Sequence, residues 1–185
     1  MNKLLTSFLL ISILSFGQSI SKKDTKDKIQ NKDISWKTFN QLNYTIQYPS
    51  TWVLDESGEM GTNFILFSPL ESGSDKFKEN VNLLIQDLTG KNIDIDKYTE
   101  ISESQIKTMV KNANLIESKR IENTKNEYHK IIYSGMHDQL NLQFEQYYWV
   151  FKNKAYVLTF TCEKDKFSIF SETGEKILKS FQFIK

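Results

Sequence analysis

Tyr44-Thr45-Ile46-Gln47-Tyr48-Pro49-Ser50-Thr51-Trp52 alternates apolar and polar residues, stops at a proline and then presents a tryptophan. A period of two puts Tyr44, Ile46 and Tyr48 on one face of a strand. Proline ends the ladder because it has no N–H to donate. The chain has only two prolines and three tryptophans, and one of each falls within four positions here. The run therefore marks a strand end and a large apolar anchor together. It speaks to fold and carries no chemistry.

Upstream of it, Lys3 precedes a largely apolar run of 13 residues, Leu4 to Phe16. A membrane-spanning helix needs roughly 20 such residues. Ser15 and Gly17 are small residues at the −3 and −1 positions of a cut before Gln18, a cut after Ser19 being the alternative. Residues 1–18 read as a signal peptide, so the chain is expected to be exported, to the periplasm, cell surface or medium, with no transmembrane anchor in the mature protein. No cysteine lies near the cut, which predicts no lipid-modified N-terminus. Residues 19–33 are polar, rich in Lys and Asp and free of aromatics; they read as a disordered tether. A single domain is expected over residues 34–185.

Of the 24 basic and 23 acidic residues, one lysine leaves with the signal peptide, so the mature chain is formally neutral. No global field steers it to nucleic acid or to an anionic membrane. About 167 residues remain, enough for one domain with a real core. Cys162 is the only cysteine, so no internal disulfide forms. It ends a row of alternating residues, Tyr156, Leu158, Phe160 and Cys162, and is expected to be buried.

Strand patterns cover Ile34 to Phe39, Tyr44 to Tyr48, Thr62 to Ser68 and Asn80 to Leu88, the last with Val81, Leu83 and Ile85 on one face. A helix follows, with Asp96 expected as its N-cap. Tyr98, Ile101, Ile106, Met109, Val110 and Ala113 form its apolar half. Four more strands are read over Asn114–Ile121, Glu127–Met136, Leu140–Phe151 and Ala155–Glu163. The sequences Gly135-Met136-His137-Asp138 and Lys152-Asn153-Lys154 are expected as hairpin turns. The second half of Leu140–Phe151 is apolar on both faces, so both must be covered. A last helix bearing Phe167, Phe170, Ile177, Leu178 and Phe181 is expected to do this, with Gly174 permitting close approach to the sheet. The order β, β, β, β, α, β, β, β, β, α argues for an α+β fold with an antiparallel sheet and helices on its faces.

The order of these landmarks resembles the PsbP-like domain. The landmarks are Tyr44-x-Ile46-x-Tyr48-Pro49-x-x-Trp52, Ile95-Asp96-Lys97-Tyr98 opening the first helix, Asn153 to Thr159 in the late hairpin, and Ile177-Leu178-Lys179-Ser180-Phe181 near the end. The resemblance covers residues 34–185. It implies an α/β/α sandwich, a central antiparallel sheet flanked by helices. The family includes extrinsic photosystem-II subunits, DcrB-like envelope proteins, a nuclear Ran-binding factor and secretion chaperones, so it implies binding or assembly rather than one reaction. This chain shows no sign of photosynthesis, and it lacks the lipid-attachment cysteine of the DcrB-like members.

Candidate sites are few. A zinc site needs three or four converging ligands. His129 lies within a strand, and His137 lies at a hairpin beside Asp138, so His137 and Asp138 are the weak metal candidates and no cofactor is expected. Asn92-x-Asp94-x-Asp96 begins like a calcium loop, but Lys97 stands where that loop needs glycine; helix capping accounts for it better. Asp55-Glu56-Ser57-Gly58-Glu59 reads as an exposed acidic loop. No nucleophile elbow, phosphate loop or His-Glu-x-x-His occurs, and the chain is not expected to be an enzyme. Tyr147, Trp149 and Phe151 are the candidates for a partner or ligand surface; Tyr148 belongs to the same aromatic set, for which core packing is the competing account. The expected function is a non-catalytic binding or assembly protein of the cell envelope with a protein partner. The alternatives are an apolar-ligand or lipid carrier, a holder of a partner's hydrophobic segment, or a divalent-metal-responsive protein.

Overall fold

A computed structural model describes residues 35–122 and 126–184. The expected signal peptide and tether lie outside the described residues. Strands β1 (Trp36–Asn40), β2 (Tyr44–Pro49) and β10 (Gln182–Phe183) form a small sheet in the order β1-β2-β10. Strands β3 (Val53–Asp55), β4 (Phe64–Phe67), β5 (Asn80–Asp87), β6 (Lys111–Ile121), β7 (Tyr128–His137), β8 (Leu140–Phe151) and β9 (Lys154–Glu163) form the large one, in the order β3-β4-β5-β9-β8-β7-β6. Every pairing is antiparallel. Helices α1 (Ile95–Met109) and α2 (Phe167–Lys179) complete the fold.

The opening run behaves as its alternation predicts. Tyr44, Ile46 and Tyr48 are buried, Pro49 ends β2, and Trp52 turns back with its amide donating to the Pro49 carbonyl at 2.9 Å. Trp52 itself is only 5% exposed. The first strand pair, however, belongs to the separate small sheet and is not part of the central one.

Alternation along β8 divides the core between the two faces of the large sheet. Leu142, Phe144 and Tyr148 pack with Tyr98 and Ile106 of α1. Tyr147 and Trp149 pack with Ile177 and Leu178 of α2 and with Tyr44, Ile46 and Phe181 of the small-sheet region. The expectation that the last helix covers both faces of β8 is corrected: α2 covers one face and α1 the other. The coarse architecture is α+β, with a large antiparallel sheet and two α-helices among the described residues.

Several local readings also change. The N-cap of α1 is Asp94, not Asp96; the Asp94 carboxylate accepts from the Lys97 amide at 2.8 Å. Asp96, inside the first turn, instead accepts from Arg120 at 2.9 Å. The helix stops at Met109, which is exposed, so Ala113 belongs to β6 and not to the helix stripe. Gly135 and Met136 lie in β7, and the turn follows at Asp138, where φ is +51°. Gly135 serves close packing: a Cβ there would fall 2.2 Å from Val110 Cγ1. Lys152 and Asn153 do form the β8–β9 turn, with φ of +49° and +56°.

Candidate functional site

Two clefts adjoin where the start of β7 and the end of β8 meet α2, β10 and the start of α1. The larger, about 450 Å³, is lined by Asn126, Tyr128, Tyr147, Trp149, Leu178, Lys179, Phe181 and Gln182. The smaller, about 230 Å³, is lined by Ile95, Arg120, Asn126, Glu127, Trp149, Val150, Phe151 and Phe183. Asn126 and Trp149 belong to both. Period two in β8 turns Tyr147, Trp149 and Phe151 to one face, and β7 brings Tyr128 beside them. The Tyr128 ring stacks on Tyr147 at 4.5 Å and meets Trp149 at 5.4 Å. Phe181 and Phe183 close the opposite wall, at 4.9 and 6.2 Å from Trp149.

The three surface candidates therefore meet at one place, but they differ in exposure. Tyr147 and Trp149 are buried and form the base, whereas Phe151 is 40% exposed at the rim, with the Lys152 ammonium 5.1 Å from its ring centre. Tyr148 faces the other way, into the α1 core. Sequence reasoning missed Tyr128, Phe181 and Phe183. The apolar alternation of Phe181 and Phe183 was the available signal for the last two, but it merges with the helix stripe that precedes it.

A charged cluster lies on the same sheet face, beside Tyr147. Lys130 Nζ stands 3.2 Å from Glu145, 3.5 Å from Glu117 and 3.9 Å from Glu175. Burial raises the Glu145 carboxyl above the usual carboxylate range, although Lys130 pulls it down. Burial alone would lower the Lys130 ammonium, but Glu145, Glu117 and Glu175 leave it raised overall. Burial, with Glu145 close by, also pushes the Tyr147 hydroxyl up. At the smaller cleft Arg120 bridges Asp96 and Glu127 at 2.9 and 3.0 Å.

The metal candidates do not join this site. His137 Nε2, at the end of β7, lies 3.6 Å from Asp138 in the exposed turn that follows. Among the described residues no group of three or more His, Cys, Asp or Glu side chains converges as a metal site would. His129 Nε2 is 2.8 Å from Ser118 Oγ, and that hydroxyl lies 2.5 Å from Glu103. Burial holds the His129 imidazole below its usual value, against the pull of Glu103 and Asp96 and aided by Arg120. Cys162 is fully buried; its thiol faces the Glu163 carbonyl at 3.2 Å and Glu79 at 3.8 Å. Above this pair, Lys166 contacts Glu71, Asp75 and Glu163 at 3.0, 3.0 and 2.7 Å.

The fold and cleft define an α+β protein that presents an aromatic groove beside a large antiparallel sheet. The family described as "PsbP-like protein" matches residues 4–183, and the chain belongs to it. Among solved structures it is similar to cyanobacterial PsbP from Synechocystis, with 14% identity, TM-score 0.60, and 83% of this chain and 95% of that one covered. It is equally similar to LpqN of Mycobacterium tuberculosis, which is involved in cell envelope biogenesis: 12% identity, TM-score 0.60, coverage 83% and 93%. A putative regulator of unknown function from Pseudomonas aeruginosa shows 9% identity, TM-score 0.56 and coverage of 78% and 94%. No curated protein matches. Among the described residues no helix is long and apolar enough to cross a membrane.

Proposed function

We propose that this chain is an exported, non-catalytic binding protein of the cell envelope, and that its paired clefts receive a protein partner. In this reading residues 1–18 are a leader, residues 19–33 a tether, and residues 34–185 one PsbP-like domain. Its sheet is the middle layer between α1 on one side and α2 with the small sheet on the other. The observation that carries the reading is the open aromatic groove around Trp149, with the exposed Phe151 at its rim. Aromatic residues supply much of the contact area at protein interfaces. The likeness to an envelope-biogenesis protein supports the compartment.

The test is a photo-crosslinking residue placed at Phe151 in the native host. Position 109, exposed at the far end of α1 and about 21 Å along that helix from Ile95, serves as control. The expected result is a discrete crosslinked protein from position 151 and none from position 109. Equal labelling from both positions, or none from 151, would sink the reading. A stoichiometric lipid in an organic extract of the purified protein would favour the carrier alternative.

A further inference from the structure

Among the described residues the small sheet ends at β10, whose outer side no strand pairs in the order β1-β2-β10. Its register fixes the direction of each backbone group. Gln182 pairs with Thr45 and Phe183 with Tyr44, while the Ile184 amide donates to the Asn43 carbonyl at 2.9 Å. Residues in an antiparallel ladder alternate between exchanging both bonds with the partner strand and facing away from it. Gln182 and Ile184 therefore face β2, and the N–H and C=O of Phe183 face away. The same stretch walls both clefts: Phe181 and Gln182 line the larger, and Phe183 lines the smaller.

By contrast, the edge of the large sheet at β6 is guarded. Strand β6 carries two register shifts and the charges Lys111, Glu117, Lys119 and Arg120. The edge at Gln182-Phe183-Ile184 carries no charge. Resting on the partner-binding reading above, we propose that the partner supplies an extended segment that pairs with the free edge of β10 and places alternate apolar side chains in the two clefts. An unpaired N–H and C=O at strand spacing are matched by a polypeptide backbone, and an acyl chain would leave both unsatisfied. Residues two apart on such a segment project about 7 Å apart on one face, so one segment can fill both clefts.

The test pans a phage-displayed dodecapeptide library on the purified chain and keeps peptides that compete with the crosslink at position 151. The best is then made with a single backbone N-methyl group at each position in turn. Binding is expected to fall about tenfold or more at the one position whose N–H would donate to the outward Phe183 carbonyl and to hold at the others. Phe183→Pro and Phe183→Ala both lose the ring, but only the proline also loses the outward N–H. The proline variant is expected to bind about tenfold more weakly than the alanine variant at similar thermal stability. A flat N-methyl scan, or equal affinities for the two variants, overturns strand addition and leaves the clefts as a partner site. If nothing in the library competes while the crosslink persists, the extended segment is again overturned. A concentration-dependent dimer abolished by Phe183→Pro would assign the edge to a second copy and overturn it likewise. Loss of the crosslink itself removes the underlying reading.

Discussion

Gly174 of α2 sits against Phe160 of β9 with no room for a methyl group: a Cβ at position 174 would lie 2.5 Å from the ring's Cδ1. Phe160 is fully buried and cannot yield. Two effects compete in Gly174→Ala. Alanine gains about 1 kcal/mol of helix propensity, and overpacking a filled core costs about 1–3 kcal/mol. The clash should win, with a net loss of up to about 2 kcal/mol by urea denaturation. A variant more stable than the parent would show that α2 can slide off the sheet at no cost.

This close approach was legible from the sequence because Gly174 falls on the apolar stripe of its helix. The strand-proline-tryptophan run and the Lys152-Asn153 turn were legible for the same reason: each is a strong local signal. What escaped notice was short or remote. Strands β3 and β10 span three and two residues, too few for any period to show. Asp94 and Asp96 are equally good acceptors two positions apart, so composition could not choose the cap. Tyr147, Trp149 and Phe151 could be named from β8 alone. Their partners Phe181 and Phe183 arrive from more than 25 residues away, and only tertiary packing turns a row of strand aromatics into a groove.

Trp52 tests whether the opening run anchors the core. It packs in the same buried cluster as Tyr44, Ile46, Tyr48 and Phe64. Trp52→Ala should cost about 3–5 kcal/mol, as other buried aromatic truncations do. A loss under about 1 kcal/mol in chemical denaturation would mean that the indole contributes little to the fold and would reopen it as a binding residue.

Cys162 should be inert in the native state. Burial, with Glu79 and Glu163 nearby, pushes its thiol well above the ordinary range, and only the thiolate reacts quickly. Labelling by an aromatic disulfide reagent should therefore wait for the chain to open, at least about a thousandfold slower than in denaturant. Rapid labelling of the folded protein would show that the end of β9 opens locally.

The Lys130 cluster gives a pH-dependent prediction. Lys130→Met keeps the length of the side chain but leaves Glu145, which is 3% exposed, without its cation. Removing one member of a buried pair costs about 3–5 kcal/mol when the remaining charge stays ionised. Burial already holds the Glu145 carboxyl above its unfolded value, and losing Lys130 removes the main opposing pull. A carboxyl raised in the folded state binds its proton more readily there than in the unfolded chain. Its favourable contribution is thus present at low pH and is lost as pH rises through the folded value. The deficit of Lys130→Met should accordingly be full well above the raised folded value of Glu145 and shrink as pH falls through it and the carboxyl takes up a proton. Adding Glu145→Gln to Lys130→Met should recover most of the stability at neutral pH and remove this pH dependence, because no buried charge remains. Urea midpoints of the parent, the single variant and the double variant on both sides of that value decide the matter. A deficit that stays constant with pH would place the cost in lost packing of the lysine stem rather than in the stranded carboxylate.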